Sequence, residues 1–368
     1  MDSPRVTNAT DFIVLPVSLY GPDGEAVVII VKSTWVLRVP GGAARGKKPA
    51  VLVLADGDMA RGVRHTDEHW GDPAMTSIRY PADVAITKAG TDVVLIADAW
   101  APDAVPAAHI DVKASIGALQ IMLRAHGQRA WGASGAAISS AKPALRVPLR
   151  WELAFGGRDE IELGQWIEES RNPVGRGIVG DRQKLDAAPA PQIEAVEAPI
   201  RSLEDDIVPI GVGALGRHWE PRRSHMGTYD AAWLDARAPL PPKDEDSRYA
   251  LFAAPGLHSR TPLLGGEQVM LVNLSREPVL AFALPQIRVA ISFEVGGQLV
   301  SAVEAPIDTV LIDLLADPGP DPKDEADAQI VVVELVHRAH VLAPRRKRDL
   351  VIRVRELLAE QSAGEAPS

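Results

Sequence analysis

The strongest constraint on the fold of this chain is a hydrophobic period of two. Along residues 287–295, five apolar side chains alternate with Arg, Ala, Ser and Glu: Ile287, Val289, Ile291, Phe293 and Val295. Alternation of this kind is typical of a half-buried β-strand. Gly296 and Gly297 then precede a second run, and a type I′ turn needs positive φ at both central residues. The pattern therefore predicts a tight hairpin.

Other segments also favour strands. Val27–Leu37 and Val93–Trp100 are apolar on both faces and rich in β-branched residues, which suits central strands. Alternation in Val147–Phe155 predicts one strand whose packing face carries Val147, Leu149, Trp151, Leu153 and Phe155. Further strands are predicted at Asp11–Tyr20, Val51–Leu54, His109–Lys113, Leu119–Arg124, Gln268–Leu274, Val279–Leu284, Ile307–Leu314, Gln329–Val336 and Leu350–Leu357.

Helical signals are few. Ala231–Arg237 predicts two turns, with Asp230 as the N-cap and Pro239 at the end. The segment Asp349–Gln361 fits either a strand or an amphipathic helix. We therefore predict a mainly β protein of antiparallel sheets, sandwich- or barrel-like, with a long irregular middle segment and few short helices.

The predicted organisation has three parts within one integrated unit. Residues 1–156 form an N-terminal β-rich lobe and residues 265–368 a C-terminal one. The middle segment 157–264 is rich in Gly and Pro, and we expect tryptophans to hold it against the strands because each can bury a large apolar area. The expected anchors are Trp151, Trp166, Trp219 and Trp233. Asp317–Ala328 is predicted to be a solvated acidic loop and the last five residues a frayed tail.

Composition excludes several classes of function. A net charge of −10 argues against nonspecific nucleic-acid binding, which needs a surplus of Lys and Arg. The absence of cysteine excludes disulfides, thiolate catalysis and cysteine-bound zinc, and it fits a reducing compartment. No secretory signal and no apolar run of about 20 residues is visible, so a cytoplasmic protein without membrane contact is expected.

No pattern of metal ligands or nucleophiles is convincing. His65 and His69 are four residues apart, but Thr66 stands where a zinc-protease motif needs glutamate, so a polar turn is expected. Paired carboxylates such as Glu220 and Asp230 could serve glycoside hydrolysis, although sequence does not show their separation. The serines lie in no nucleophile elbow, and the glycine pairs lack phosphate-loop spacing. We predict no metal, no cofactor and no catalytic residue.

Two basic clusters are better explained by structure than by binding. Arg345–Arg348 is interpreted as a solvated hairpin tip between two strands, although it could contact an acidic partner. Arg222 and Arg223 lie among tryptophans and histidines, where an arginine could stack or hold a carboxylate; a structural ion pair is the preferred interpretation.

Five blocks in a fixed order resemble a bacterial family of unknown function that is associated with type VI secretion. They are TKAGTDVVLIADAWAP at 87–102, PLRWELAFGG at 148–157, NPVGRG at 172–177, WEPRRSHMGTYDAAW at 219–233 and GGEQVMLVNL at 265–274. The resemblance extends from about residue 10 to about residue 340. Each block alone is weak, and their order makes the resemblance specific.

The resemblance implies an adaptor or chaperone. Members of that family look like cytoplasmic proteins that help load a toxic effector onto the spike of the secretion apparatus, through its valine-glycine repeat protein or a PAAR-repeat tip. The implied positions are Lys88, Asp92, Trp131, Glu152, Phe155, Gly156, Gly157, Asn172, Pro173, Gly175, Gly177, Trp219, Pro221, Arg222, Gly227, Thr228, Tyr229, Asp230 and Trp233. They are candidates for binding or for holding the loops.

The chain departs from the family pattern in two places. Gln128 stands where an aspartate is expected, which puts in doubt an ion pair to Arg129. Residues 186–206 stand where the family pattern has a shorter link rich in proline and asparagine.

The preferred function is stoichiometric protein–protein binding: an adaptor that loads an effector onto the spike or PAAR tip, with possible strand addition at an exposed sheet edge. A carbohydrate-active or other hydrolase using a carboxylate pair is the alternative. A third possibility is a structural component of the secretion apparatus, which would predict stable incorporation with stoichiometry set by symmetry.

Overall fold

The computed structural model describes residues 3–39, 51–316 and 329–357. The predicted β architecture is confirmed, with several mainly antiparallel sheets and short 3-10 turns. Within the described residues there is one α-helix, α1 (Ala231–Ala236), and it has only six residues. No described helix is therefore of a length or hydrophobicity that would cross a bilayer.

The largest sheet has seven strands. Its order is β17 (His258–Ser259), β7 (Thr91–Ile96), β22 (Ile307–Asp313), β23 (Gln329–Leu342), β3 (Gly24–Val39) and β2 (Ile13–Gly21), and β4 (Val53–Leu54) also pairs with β3. The strands are antiparallel except for β7 and β22, which run parallel. The two longest strands, β3 and β23, pair over 14 residue positions.

Two smaller sheets flank it. The five-stranded sheet has the order β16 (Ile193–Ala195), β10 (Leu119–His126), β9 (His109–Ile116), β18 (Gln268–Val272) and β19 (Val279–Ala283). The four-stranded sheet has the order β1 (Arg5–Ala9), β24 (Leu350–Glu356), β20 (Val289–Val295) and β21 (Gln298–Ala305). The turn between β20 and β21 has φ of 59° at Gly296 and 83° at Gly297, as the hairpin prediction requires.

Four two-stranded ribbons complete the described strands. They are β5 (Glu68–His69) with β6 (Ile78–Tyr80), β8 (Asp98–Trp100) with β11 (Arg146–Pro148), β12 (Phe155–Gly156) with β15 (Arg176–Gly177), and β13 (Arg158–Glu162) with β14 (Gln165–Glu168). The N-cap of α1 is the predicted one, because the carboxylate of Asp230 accepts a hydrogen bond from Trp233 N.

One apolar core joins the three large sheets. It includes Val31 on β3 and Val333 on β23, together with Leu123 of the five-stranded sheet and Ile352 of the four-stranded sheet. The opposite face of the seven-stranded sheet is different, because Lys32, Glu334 and Arg338 lie there and are almost completely buried. Residues from about 61 to 88 and from about 214 to 252 cover this polar face.

Four expectations about strands, turns and anchors were wrong. Val93–Trp100 is not one central strand, because β7 ends at Ile96 and β8 lies in a separate two-stranded ribbon. Val147–Phe155 is not one strand: β11 ends at Pro148, a 3-10 turn spans Trp151–Leu153, and β12 follows. Proline has no N–H for a continued ladder, which explains the early end. Arg345–Arg348 is not a hairpin tip, since β23 and β24 belong to different sheets. Trp166 is not a buried anchor, because 58% of it is exposed.

Three further expectations concern the region after Asp349, the acidic loop and the C-terminal tail. The ambiguous region after Asp349 forms strand β24 up to Glu356, and residues 358–361 lie outside the described residues. The predicted acidic loop Asp317–Ala328 and the C-terminal tail also lie outside them.

Candidate functional site

The polar face of the seven-stranded sheet carries a buried charge cluster. Lys32 Nζ lies 2.8 Å from Asp83 Oδ2 and 2.8 Å from Glu334 Oε2. Arg64 contacts Glu334, and Arg61 bridges Glu334 and Asp313. Burial by itself would raise the pKa of Glu334, but the charges of Lys32 and Arg64 outweigh it and lower that pKa to about 2. Glu334 is therefore ionised at neutral pH.

Lys88 and Asp92, both implied by the family blocks, form a second buried pair. Lys88 Nζ lies 2.5 Å from Asp92 Oδ2, donates to Thr309 Oγ1 at 3.0 Å and lies 3.7 Å from the centre of the Phe252 ring. Burial alone would raise the pKa of Asp92; the Lys88 charge and a hydrogen bond from His258 lower it to about 2. The pair ties β7 to the segment that covers it.

A cleft of about 700 Å³ opens next to Lys88. One wall comes from the end of β2 and from residues 82–88, and the other comes from residues 217–252. The wall contains apolar side chains, such as Leu19, Ile86 and Phe252, together with charged ones. Its volume lies within the range of roughly 300–1,000 Å³ that is usual for ligand pockets.

Three cations of the cleft wall, Arg222, Arg237 and Lys243, have no carboxylate partner among the described residues. The guanidinium of Arg222 is buried and donates to Leu215 O at 2.6 Å and to Tyr249 O at 3.1 Å and 3.2 Å. Burial, followed by the charge of Arg217, lowers the pKa of Arg222 to about 10. Arg237 donates to the carbonyls of Pro22 and Pro241. The structural ion pair expected for Arg222 is therefore wrong, whereas Arg223 does pair with Glu220 at 3.0 Å.

Arg338 also lines this wall, and two of its three guanidinium nitrogens, Nε and Nη2, make hydrogen bonds. It pairs with Asp308, and its Nη2 donates to Asp83 O at 2.9 Å. Its Nη1 is buried and has no hydrogen-bond partner among the described residues. Arg338 was not singled out from the sequence, because it lies two residues beyond the predicted strand Gln329–Val336 and in no recognisable motif.

The glycine-rich blocks form a separate loop cluster. Asn172 is fully buried, and its Nδ2 donates to Trp151 O and to Phe155 O, both at 2.8 Å. A Cβ on Gly156 would lie 2.2 Å from Asn172 O, and one on Gly175 would lie 2.4 Å from Asn172 Nδ2. Only glycine fits at such approaches. These blocks therefore hold backbone segments together.

Other members of the blocks extend this loop cluster. Trp131 is buried and donates from Nε1 to Gly177 O at 3.0 Å. Glu152 accepts from the backbone and hydroxyl of Ser77, both at 2.8 Å. A Cβ on Gly157 would lie 2.6 Å from Gly175 O. Pro173 is half-buried between them.

The GTYD block flanks the cleft without lining it. Thr228 Oγ1 donates to Asp244 at 2.7 Å, and the Tyr229 ring lies 4.6 Å from the Trp233 ring, edge to face. Gly227 has φ of 78°, and a Cβ there would lie 2.9 Å from Glu245 N. Pro221 is exposed, and Trp219 packs edge to face on Trp151 at 5.9 Å. This block orders residues 227–246, which include part of the cleft wall.

The comparison with known families gives one match. Residues 23–319 match the model of a family described as uncharacterized proteins conserved in bacteria, which covers most of the chain. The chain belongs to DUF2169. No curated protein and no solved structure matches it. The DUF2169 match includes every block position from Lys88 to Trp233, and its description states no activity and no link to secretion.

The structure separates the DUF2169 block residues into three groups, one of which is the GTYD block that flanks the cleft. Lys88 and Arg222 line the cleft, with Asp92 behind Lys88. Glu152, Phe155, Asn172 and the glycines lie in the loop cluster. Sequence order alone could not show this division, since residues 222 and 172 are brought to their places by contacts across the chain.

The remaining candidates have structural partners. His65 and His69 do not form a metal site, and no group of metal-ligating side chains occurs among the described residues. Glu220 accepts a hydrogen bond from Ser224 Oγ at 2.6 Å. This bond and the one from Arg223 outweigh the effect of burial and lower the pKa of Glu220. Asp230 caps α1.

Gln128 carries no charge, but Arg129 has a carboxylate partner elsewhere. Arg129 pairs instead with Glu194 at 2.6 Å, and His126 Nε2 lies 2.9 Å from the same carboxylate. Burial would raise the pKa of Glu194, but these two neighbours lower it to about 2. The partner of Arg129 was missed because it lies in the atypical region 186–206.

Proposed function

We propose that this DUF2169 protein is a cytoplasmic adaptor that binds a toxic effector and helps load it onto the spike or PAAR tip of a type VI secretion apparatus. The observation that carries the proposal is the cleft. Its wall combines apolar side chains with Arg222 and Arg237, whose described partners are carbonyls, so it suits a chain segment that offers apolar and acidic side chains.

The contacts of the block residues support a binding role over a catalytic one. Lys88 is held by Asp92 and Thr309, Asn172 by two carbonyls, and Glu152 by Ser77. Such groups stabilise a rigid surface, and a preorganised surface binds with a smaller loss of conformational entropy. The mechanism is stoichiometric: the adaptor covers a segment of the effector and releases it when the spike offers a tighter contact.

Co-expression tests the proposal directly. The tagged protein is expressed with the effector and with the spike and PAAR-repeat proteins of the same bacterium, and complexes are sized by light scattering. We expect a defined complex with the effector and one with the spike or tip. Arg237→Glu with Lys243→Glu should weaken the effector complex by roughly tenfold or more, because both cations line the cleft.

The matched control is Arg353→Glu, which reverses a cation on the four-stranded sheet, away from the cleft. Equal loss of binding in this control would argue against the cleft. Absence of both complexes for the wild-type protein would refute the adaptor proposal. The protein should also be missing from the released spike, whereas a structural component of the apparatus would remain in it at fixed stoichiometry.

The hydrolase alternative stays a prediction about Glu220 and Asp230. Glu220 has a lowered pKa, which suits an ion pair better than a general acid. Hydrolysis of a glycan panel by the protein alone, lost in Glu220→Gln and in Asp230→Asn, would establish this alternative.

A further inference from the structure

A two-stranded hairpin follows Gly157 of the loop cluster along the chain, and its first strand is held by Gly180 N, which donates to Asp159 Oδ2 at 2.8 Å. Strands β13 and β14, with the turn between them, comprise residues 158–168, which we call the arm. The two strands pair with each other and with no other strand in the described parts of the chain. The arm leaves the body where Glu169 N donates to Gly157 O at 3.0 Å. An isolated two-stranded hairpin is marginally stable in water, so the arm gains from being covered.

The apolar side chains of the arm face solvent. The exposed fractions are 99% for Leu163, 58% for Trp166, 46% for Ile161 and 40% for Ile167. Single exposed apolar residues are ordinary, but four on eleven consecutive residues, spread over both faces of the hairpin, make the arm unusually apolar for an exposed segment. Trp166 in particular is a residue type that often dominates binding energy at interfaces.

The arm is also acidic. It carries one cation, Arg158, and four carboxylates: Asp159, Glu160, Glu162 and Glu168. The surface that receives it must therefore offer apolar contacts together with cations.

The cleft has both properties. Its wall contains six Lys and Arg side chains, namely Lys88, Arg217, Arg222, Arg237, Lys243 and Arg338. It contains four carboxylates, namely Asp23, Asp67, Glu245 and Asp246. Two of these carboxylates already pair with arginines, Asp67 with Arg217 and Asp246 with Arg248. Three of the six cations also have carboxylate partners, Lys88 with Asp92, Arg217 with Asp67 and Arg338 with Asp308. The cations that remain for an acidic segment are Arg222, Arg237 and Lys243.

The arm and the cleft lie close together on the molecule. Ser170 O, just after the arm, accepts a hydrogen bond of 2.9 Å from Glu220 N. Arg222, two residues further along, lines the cleft. No residue of the arm lines the cleft of its own molecule. Adjacent complementary surfaces on one molecule can be exchanged between two copies about a two-fold axis.

We propose that the arm of one molecule docks in the cleft of a second copy, and that the second arm docks reciprocally. One hairpin tip buries less than the roughly 1,200–2,000 Å² of a stable interface, and two exchanged arms approach that range. The free protein is therefore a reversible dimer in which the arms occupy the clefts. This dimer goes beyond the proposed function and does not depend on it; any other ligand of the cleft has to displace the arm.

Sedimentation velocity of the purified protein across the micromolar range tests the dimer. We expect association that depends on concentration and weakens with salt. Leu163→Asp should raise the dissociation constant by roughly tenfold or more, because a charge replaces the apolar tip. Leu299→Asp is the matched control, since Leu299 is also an exposed leucine but lies on edge strand β21. It should leave the dimer intact.

Charge reversal supplies a second measurement. Glu162→Lys and Lys243→Glu should each weaken the dimer. Mixing the two variants should restore association, because one interface of the mixed dimer pairs the two reversed charges and the other pairs the two wild-type charges. A wild-type protein that stays monomeric throughout the range overturns the proposal. So does a dimer that Leu163→Asp does not weaken, or that Leu299→Asp weakens equally.

The absence of cysteine allows a site-specific check. Leu163→Cys and Tyr20→Cys place one thiol on the arm tip and one at the cleft, where Tyr20 is exposed. Mixing the two variants under mild oxidation should give a cross-linked dimer of one copy of each. The pair Leu163→Cys and Leu299→Cys should not; equal cross-linking in both mixtures would contradict the exchange.

Discussion

Lys88 Nζ lies 2.5 Å from Asp92 Oδ2, and the two side chains are 1% and 0% exposed. Lys88 precedes the central strand β7, and Asp92 lies at its start. Asp92 also accepts from Phe252 N at 3.0 Å, so the ion pair links β7 to a segment 160 residues later in the chain. This link closes one side of the cleft.

Removing one partner of this pair should strongly destabilise the protein. We expect Lys88→Met to lower the free energy of unfolding by about 3–5 kcal/mol, because the buried Asp92 carboxylate loses its ammonium partner and keeps only its hydrogen bonds with His258 and Phe252 N. Urea unfolding followed by circular dichroism measures the change. The control is Arg182→Met, which breaks a pair to Glu204 whose side chains are both mostly exposed. It should change stability very little, and equal losses in the two variants would contradict the role of burial.

The close approach in the loop cluster predicts a large effect of one methyl group. Gly156→Ala would place Cβ 2.2 Å from Asn172 O, at φ of 146°. Gly164→Ala also falls at positive φ, 80°, but meets nothing within 4 Å. Both variants lose the conformational freedom of glycine, and only the first adds a collision. We expect Gly156→Ala to lower the free energy of unfolding by about 1–3 kcal/mol more than Gly164→Ala does, as measured by thermal or urea unfolding. Equal losses in the two variants would show that the loops can move apart.

The two tryptophans Trp219 and Trp166 should differ in their contribution to stability. Trp219 is buried against Trp151, so Trp219→Ala should cost about 3–5 kcal/mol. Trp166 is mostly exposed on the arm, so Trp166→Ala should stay within about 0.5 kcal/mol of the wild type. Urea unfolding at a protein concentration at which the wild type is monomeric separates this effect from association. A large loss in Trp166→Ala would contradict the exposed position.

Acid should destabilise the protein through three carboxylates. The pKa of Asp92, Glu194 and Glu334 is lowered to about 2 in the folded protein. A carboxyl whose pKa is lower in the folded than in the unfolded state stabilises the fold above the unfolded pKa. That stabilisation should be complete at neutral pH and should be lost as the pH falls from about 4 towards 2.

Melting temperatures measured between pH 7 and pH 2 check this expectation. The melting temperature should fall most steeply in the acidic part of the range. Glu334→Gln should make this fall shallower, because one of the three titrating groups is removed. A melting temperature that stays constant down to pH 3 would contradict the lowered pKa values.

Local patterns predicted many of the strands. The alternation in Ile287–Val295 corresponds to β20, and the glycine pair after it forms the expected turn. Asp230 caps the predicted helix. These features depend on neighbours in the sequence, since side-chain alternation and the positive φ of glycine are properties of a few consecutive residues.

The site was predicted less completely. The block residues Lys88 and Arg222 were singled out, but Arg237 and Arg338, which complete the cleft, were not. Both lie outside any motif, and their role depends on segments that are far apart in the chain. The exposure of Trp166 was also missed, because large aromatic side chains are usually buried and the sequence does not show that β13 pairs only with β14.

The sequence by itself determined the β character of the chain, its turns and its one described helix, because periodicity and turn chemistry are local. Only the tertiary structure decided that β7 lies parallel to β22, that Lys32 meets Glu334 from a distant part of the chain, and that the arm stands next to the cleft. These relationships depend on which distant segments pack together. Many pairings of apolar strands satisfy the same local pattern, and the burial of specific charges selects among them.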